Sequence, residues 1–258
     1  MAVGRFAVSC AGMFLLAATA LAQGLPSAAI QQLLQPGARI IETEDLSSVA
    51  GKPRELVLWM RNPKRVVRHP DAGYCGDAVD GDHWYGPTRL SLVSSDPVKL
   101  VNTVRIISRG PTGDFTEDTF SLPFFVPNFY YHVPHINAEH EGKPKLLYLR
   151  DLTGEDGAAD FVLYIYDACG IASTSVFGYN RRSDRAVQYL VEVRQTGQKT
   201  HREAWVEQIF AHEPTRPGHW EFTWEPGHGG DVWIDERVSF DKARQLFVDN
   251  ETVRPYPK

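Results

Sequence analysis

Apolar and polar residues alternate along most of this chain, the two-residue period of half-buried strands. In Thr88–Ser94, Leu90 and Leu92 alternate with Arg89 and Ser91. In Val98–Ser108, Val98, Leu100, Asn102 and Val104 fall on one face, and Val101, Thr103 and Arg105 on the other. Asp96-Pro97 supplies the turn between these two runs. Glu55–Met60, Lys145–Arg150 and Phe161–Tyr166 are compact apolar runs that predict further strands. Ser173–Tyr179 and Ala186–Val193 form another pair around an Asn180–Arg185 turn. The strongest hairpin signature is Trp220–Trp224, a reversal at Pro226–Gly230, then Asp231–Phe240. A last strand is expected at Gln245–Val248. Residues 118–136 are aromatic but carry Pro123, Pro127 and Pro134, which suits an edge strand or a crossing loop.

Helical spacing occurs twice. Ile30, Leu33 and Leu34 share a face over 27–35, with Ser27 as cap and Pro36-Gly37 as stop. Thr200-His201-Arg202-Glu203 has the capping-box pattern, and Ala204, Trp205, Gln208 and Ile209 continue it, predicting a helix over 201–210. Residues 70–87 are rich in glycine and read as turns. There is no repeat of fixed period and no long linker. These patterns predict a mainly β chain: a single antiparallel β-sandwich-like domain with two short helices.

The N-terminus changes the picture. Arg5 is its only charge, an apolar run follows from Phe6 to Leu21, and Ala20-Leu21-Ala22 has the small-x-small form of a cleavage site. Residues 1–22 therefore read as a signal peptide cut between Ala22 and Gln23. Residues 23–258 remain as one extracytoplasmic domain, secreted or periplasmic, with no membrane span after cleavage. Of 27 basic residues only Arg5 leaves with the leader, so 26 remain against 32 acids, a net charge of −6. The two signs are interspersed, which gives no reason to expect nucleic acid as a partner.

Export also frames the cysteines. Cys10 belongs to the leader, and Cys75 and Cys169 are left as an even pair, expected to form one disulfide in an oxidising compartment. The alternative is two buried thiols.

Asp151-Leu152-Thr153-Gly154-Glu155-Asp156-Gly157-Ala158-Ala159-Asp160 is the sharpest local motif. Calcium takes six to eight oxygens, which Asp151, Thr153, Glu155, Asp156 and Asp160 could supply around the two glycines. The stretch resembles the calcium loop of FG-GAP repeats in integrin-like propellers, and more loosely an EF-hand loop. That resemblance implies a possible calcium ligand set over these ten residues and nothing about the overall fold. Thr153 replaces the usual Asn or Asp, and one extra residue precedes Asp160. The alternative is a metal-free hairpin loop whose side chains bond nearby amides.

Three weaker constellations complete the survey. His132, His135 and His140 offer ligands that zinc accepts, although Pro134 prevents a helical spacing. His83, Trp84 and Tyr85 could contact a ligand from the glycine-rich segment. Trp220, Phe222 and Trp224 share one strand face, with Trp233 across the turn, and could either stack on sugars or form core. No Gly-x-Ser-x-Gly, Ser-x-x-Lys or His-Glu-x-x-His motif occurs. No catalytic residue is singled out. The expectation is a non-enzymatic envelope or accessory binding protein for an unspecified glycan or protein ligand, stabilised by calcium if by any cofactor. A hydrolase of cell-envelope polymers and a purely structural envelope component are the alternatives.

Overall fold

The computed structural model describes residues 25–68, 81–109, 114–117, 119–122, 145–155, 157–167, 171–226 and 231–256. Cys75, Cys169, His132, His135, His140 and Asp156 lie outside these residues, as does most of 118–136. What is described is mainly β and mainly antiparallel, as the alternation predicts.

Helix α1 (Ser27–Leu33) is followed by strand β1 (Ala38–Asp45), the short helix α2 (Ser47–Ala50), β2 (Glu55–Arg61) and β3 (Lys64–Arg68). The long strand β4 (Gly81–Ser95) organises the first sheet. Its first half is flanked by β3 and by β8 (Thr119–Leu122), its second half by β2 and β5 (Val98–Arg105), with β1 outside β2. The expected turns over 70–87 therefore give way to strand from Gly81 onward. Two short strands, β6 (Ile107–Arg109) and β7 (Phe115–Glu117), pair with each other.

The second sheet contains β9 (Asp160–Asp167), β10 (Ile171–Asn180) and β11 (Arg185–Tyr189), joined by the two-residue β14 (Val206–Glu207). The third runs β13–β12–β17–β16–β15, from β12 (Val191–Gln195), β13 (His201–Glu203), β15 (His219–Trp224), β16 (Val232–Asp241) and β17 (Leu246–Pro255). Its β12–β17 pair is parallel, with Val191 opposite Phe247, while its other pairings are antiparallel.

Core composition shows how the sheets stack. Leu56, Leu58 and Met60 of β2 and Leu90 and Leu92 of β4 pack with Phe161, Leu163, Phe177 and Tyr179 of the second sheet. Residues of opposite parity, Val162, Val176 and Tyr189, pack with Val191, Trp220, Val238, Phe240 and Phe247 of the third. The second sheet is thus buried on both faces, which is why Phe161–Tyr166 reads as a compact apolar run rather than an alternating one. The outer face of the first sheet is covered by α1, through Ile30 and Leu34 against Val57, Trp59 and Val93. The sandwich has three β layers rather than two.

Three expected elements are corrected. Residues 201–210 form no α-helix: His201–Glu203 pair with β12, Gln208 takes a positive φ of 61°, and Ile209–Ala211 make one 3-10 turn. Ala204, Val206, Ile209 and Phe210 are buried without a helix, and the Trp205 indole N–H donates to Ile107 O at 2.9 Å. Lys145–Arg150 is not a strand either. Leu146 N and Leu147 N donate to the Glu42 carboxylate at 2.8 and 3.0 Å, and only Arg150 bridges to Asp160. The predicted Ala186–Val193 strand divides at Leu190 into β11 of one sheet and β12 of the next.

Candidate functional site: an interior carboxylate cluster

The third sheet has two chemically different faces. On the outer face Asp235 and Glu192 each have a cation. Asp235 accepts from Arg254 Nε at 2.6 Å and from the Thr223 hydroxyl at 2.5 Å, and Glu192 is held between Arg194 and Arg244. These are ordinary surface pairs, each contributing little.

The inner face begins as core, with Trp220, Val238 and Phe247 almost fully buried. Two residues further along the strands the side chains become acidic. Register places Phe222, Glu236, Glu251 and Gln195 side by side across β15, β16, β17 and β12, with Asp249 opposite Val238. Antiparallel pairing of Glu236 with Glu251 puts like charges directly opposite each other, an unfavourable arrangement. Glu236, Asp249 and Glu251 each offer a carboxylate oxygen within 4.8 Å of the other two. This close set of acids could hold a small cation.

Burial is deep on one side and relieved on the other. Asp249 and Glu236 are 0% and 2% exposed, whereas Glu251 is half-buried and Val253 beyond it is exposed. The cluster therefore lies where the core opens toward solvent. Glu236 Oε1 accepts from the Trp224 indole N–H, and Glu251 Oε2 accepts from Gln195 Nε2 at 2.9 Å. Glu236 Oε2 and both oxygens of Asp249 accept no hydrogen bond from any described residue. Among the described residues four buried side-chain polar atoms lack a partner, and these are three of them. No Lys, Arg or His among the described residues pairs with any of the three acids.

Electrostatics follow from that arrangement. Burial raises the Asp249 carboxyl above the usual carboxylate range, and the charges of Glu236 and Glu251 raise it further. Glu251 becomes its hydrogen-bond partner only when one of the two carries a proton. Burial likewise raises Glu236; the Trp224 bond opposes this, while Glu251 and Glu207 reinforce it. Beside the cluster, His212 stacks on Phe222 with ring centroids 4.0 Å apart, and desolvation lowers its pKa.

The residues singled out from sequence are distributed elsewhere. In the 151–160 loop, Asp160 Oδ2 accepts from Leu152 N, Thr153 N and Thr153 Oγ1 at 3.2, 3.0 and 2.9 Å. Asp151 Oδ1 takes Gly154 N at 2.8 Å, and Glu155 accepts from Arg182 and Gln245 at 2.6 and 2.7 Å. These acids face separate donors rather than a common point. His83, Trp84 and Tyr85 lie on strand β4, with the Arg39 guanidinium 3.6 Å above the Trp84 ring and Tyr85 exposed. Of the aromatic row, Trp220 is core, Phe222 and Trp224 border the acids, and Trp233 faces the opposite side because Trp224 pairs with Ile234.

The acid cluster is the site that sequence reading missed. Its signal was parity: Glu236 shares the phase of Val238 and Phe240, and Asp249 and Glu251 share that of Phe247. No family model matches the chain, nor does any curated protein or solved structure. The cluster is therefore argued from its own chemistry.

Proposed function

We propose that the chain is an exported, non-catalytic accessory protein of the cell envelope that binds a cationic ligand at Glu236, Asp249 and Glu251. One observation carries the binding part: three orphaned carboxylate oxygens inside a sandwich whose other described buried side chains are satisfied almost throughout. Buried acids without donors cost stability, so a purely structural role gives them no purpose. A cation supplies the missing partner.

Export rests on the apolar leader, Ala20-Leu21-Ala22 and the even pair Cys75 and Cys169. Among the described residues no helix is long and apolar enough to cross a membrane. Fractionation of cells expressing the full chain, with mass spectrometry of its N-terminus, tests this part. Protein beginning at Gln23 outside the cytoplasm is expected; full-length protein confined to the cytoplasm rejects export. Binding is tested by thermal melting against a panel of inorganic and organic cations. A ligand-dependent rise in Tm that disappears in Asp249→Asn is expected, and no response to any cation rejects the reading.

A further inference from the structure

Resting on the reading of a cation-binding pocket, we propose that Glu236, Asp249 and Glu251 form a site for a hard divalent metal ion such as calcium. The donor set decides the class. The three side chains offer carboxylate oxygens and no imidazole or thiolate of the described residues joins them, which suits calcium, magnesium or manganese and not a structural zinc site.

Size is compatible with calcium. Oxygens on opposite sides of calcium are separated by up to twice the metal–oxygen distance of about 2.3–2.6 Å, or roughly 5 Å. The three acids lie within 4.8 Å of one another, inside that limit.

The second observation is independent of the clustering. Asp249 is 0% exposed, and neither of its oxygens has a hydrogen-bond partner among the described residues although one lies within 4.8 Å of an oxygen of each of the other two acids. Acid clusters on surfaces are common, but they are hydrated by bulk solvent; this one keeps a fully buried carboxylate away from every donor among the described residues. Three carboxylates can furnish up to six oxygens, and the half-buried Glu251 leaves a side through which water can complete the shell.

The experiment titrates the purified chain with calcium, magnesium, zinc and spermidine chlorides, following both heat and Tm. Calcium at a hundredfold excess over Kd is expected to raise Tm by about 5–10 °C. Asp249→Asn and Glu236→Gln are expected to weaken calcium binding about 10–100-fold while the chain remains folded. Terbium, which replaces calcium, provides a second readout that needs no carboxylate variant. Its emission, excited through tryptophan, is expected in the wild type and strongly reduced in Trp224→Phe. A response to spermidine alone, or to zinc alone, overturns the hard-metal assignment but leaves a cation-binding pocket. No response to any of the four overturns both.

Discussion

The side-chain amide of Asn102 pairs with both backbone polar groups of Ala186. Its Nδ2 donates to Ala186 O and its Oδ1 accepts from Ala186 N, both at 2.9 Å. One side chain of β5 thus imitates a neighbouring strand and joins the first sheet to the second. Gln188 repeats the device, its amide bonded to Ile107 N and Ile107 O at 3.0 Å each. Asn102→Ala leaves two buried backbone groups unpaired and is expected to cost about 2–4 kcal/mol. Asn102→Asp retains the acceptor and loses the donor. Urea denaturation measures both, and an unchanged midpoint for Asn102→Ala would show that the amide bridge contributes nothing.

A charged counterpart ties the same layers at Asp184. Arg54 Nε and Nη2 donate to its two oxygens at 2.9 and 2.7 Å, and the Tyr179 hydroxyl adds a bond at 3.0 Å. The Arg54 bonds hold the Asp184 carboxyl well below the usual carboxylate range. A depressed folded-state pKa stabilises the fold above the unfolded value of about 3.9 and loses that contribution as pH falls below it. Asp184→Asn should therefore be less stable at neutral pH and show a shallower acid limb in stability-versus-pH measurements. An acid limb identical to wild type would refute the assignment.

Asp160 should behave in the opposite sense. Burial pushes its carboxyl up to about 8, although three donors converge on Oδ2. A raised folded-state pKa makes the group's contribution greatest at low pH, with stability declining from about pH 4 to about 8 as the unfolded chain ionises first. Asp160→Asn keeps an acceptor and should flatten that decline with little loss at pH 7. Asp160→Ala strands two amides and a hydroxyl and should cost about 2–4 kcal/mol. Equal destabilisation by both, measured by thermal melting at several pH values, would contradict this.

The interior acids predict a trade between stability and binding. Without a cation, like charges and desolvation act against the fold as pH rises above the ordinary carboxylate range. Asp249→Asn and Glu236→Gln are expected to stabilise the cation-free chain at neutral pH by about 1–2 kcal/mol each. Calorimetry in the presence of a chelator checks this; destabilisation by both variants would show that the acids support the fold.

Much of the fold was legible because strand alternation and turn chemistry agree. The hairpin of β15 and β16 follows directly from Trp220–Trp224, the glycine-rich reversal and Asp231–Phe240. Legibility fails where tertiary contacts decide. The spacing of Ala204, Trp205, Gln208 and Ile209 fits a helix, yet pairing of Arg202 with Glu192 and burial of Phe210 in the core settle an extended path. The break at Leu190 was invisible because both halves of the run are equally β-like. The acid cluster was hidden because its members come from two strands and meet only through register, whereas the 151–160 loop drew attention because its acids are contiguous in sequence.

Strand β17 lies at the centre of the third sheet, between β12 and β16. Val191 finds its parallel partner only at Phe247, far along the chain. Long loop closures of this kind are slow, so this seam is a late step in closing the layer. Disrupting β17 would leave Trp220 and Val238 without the wall they pack against.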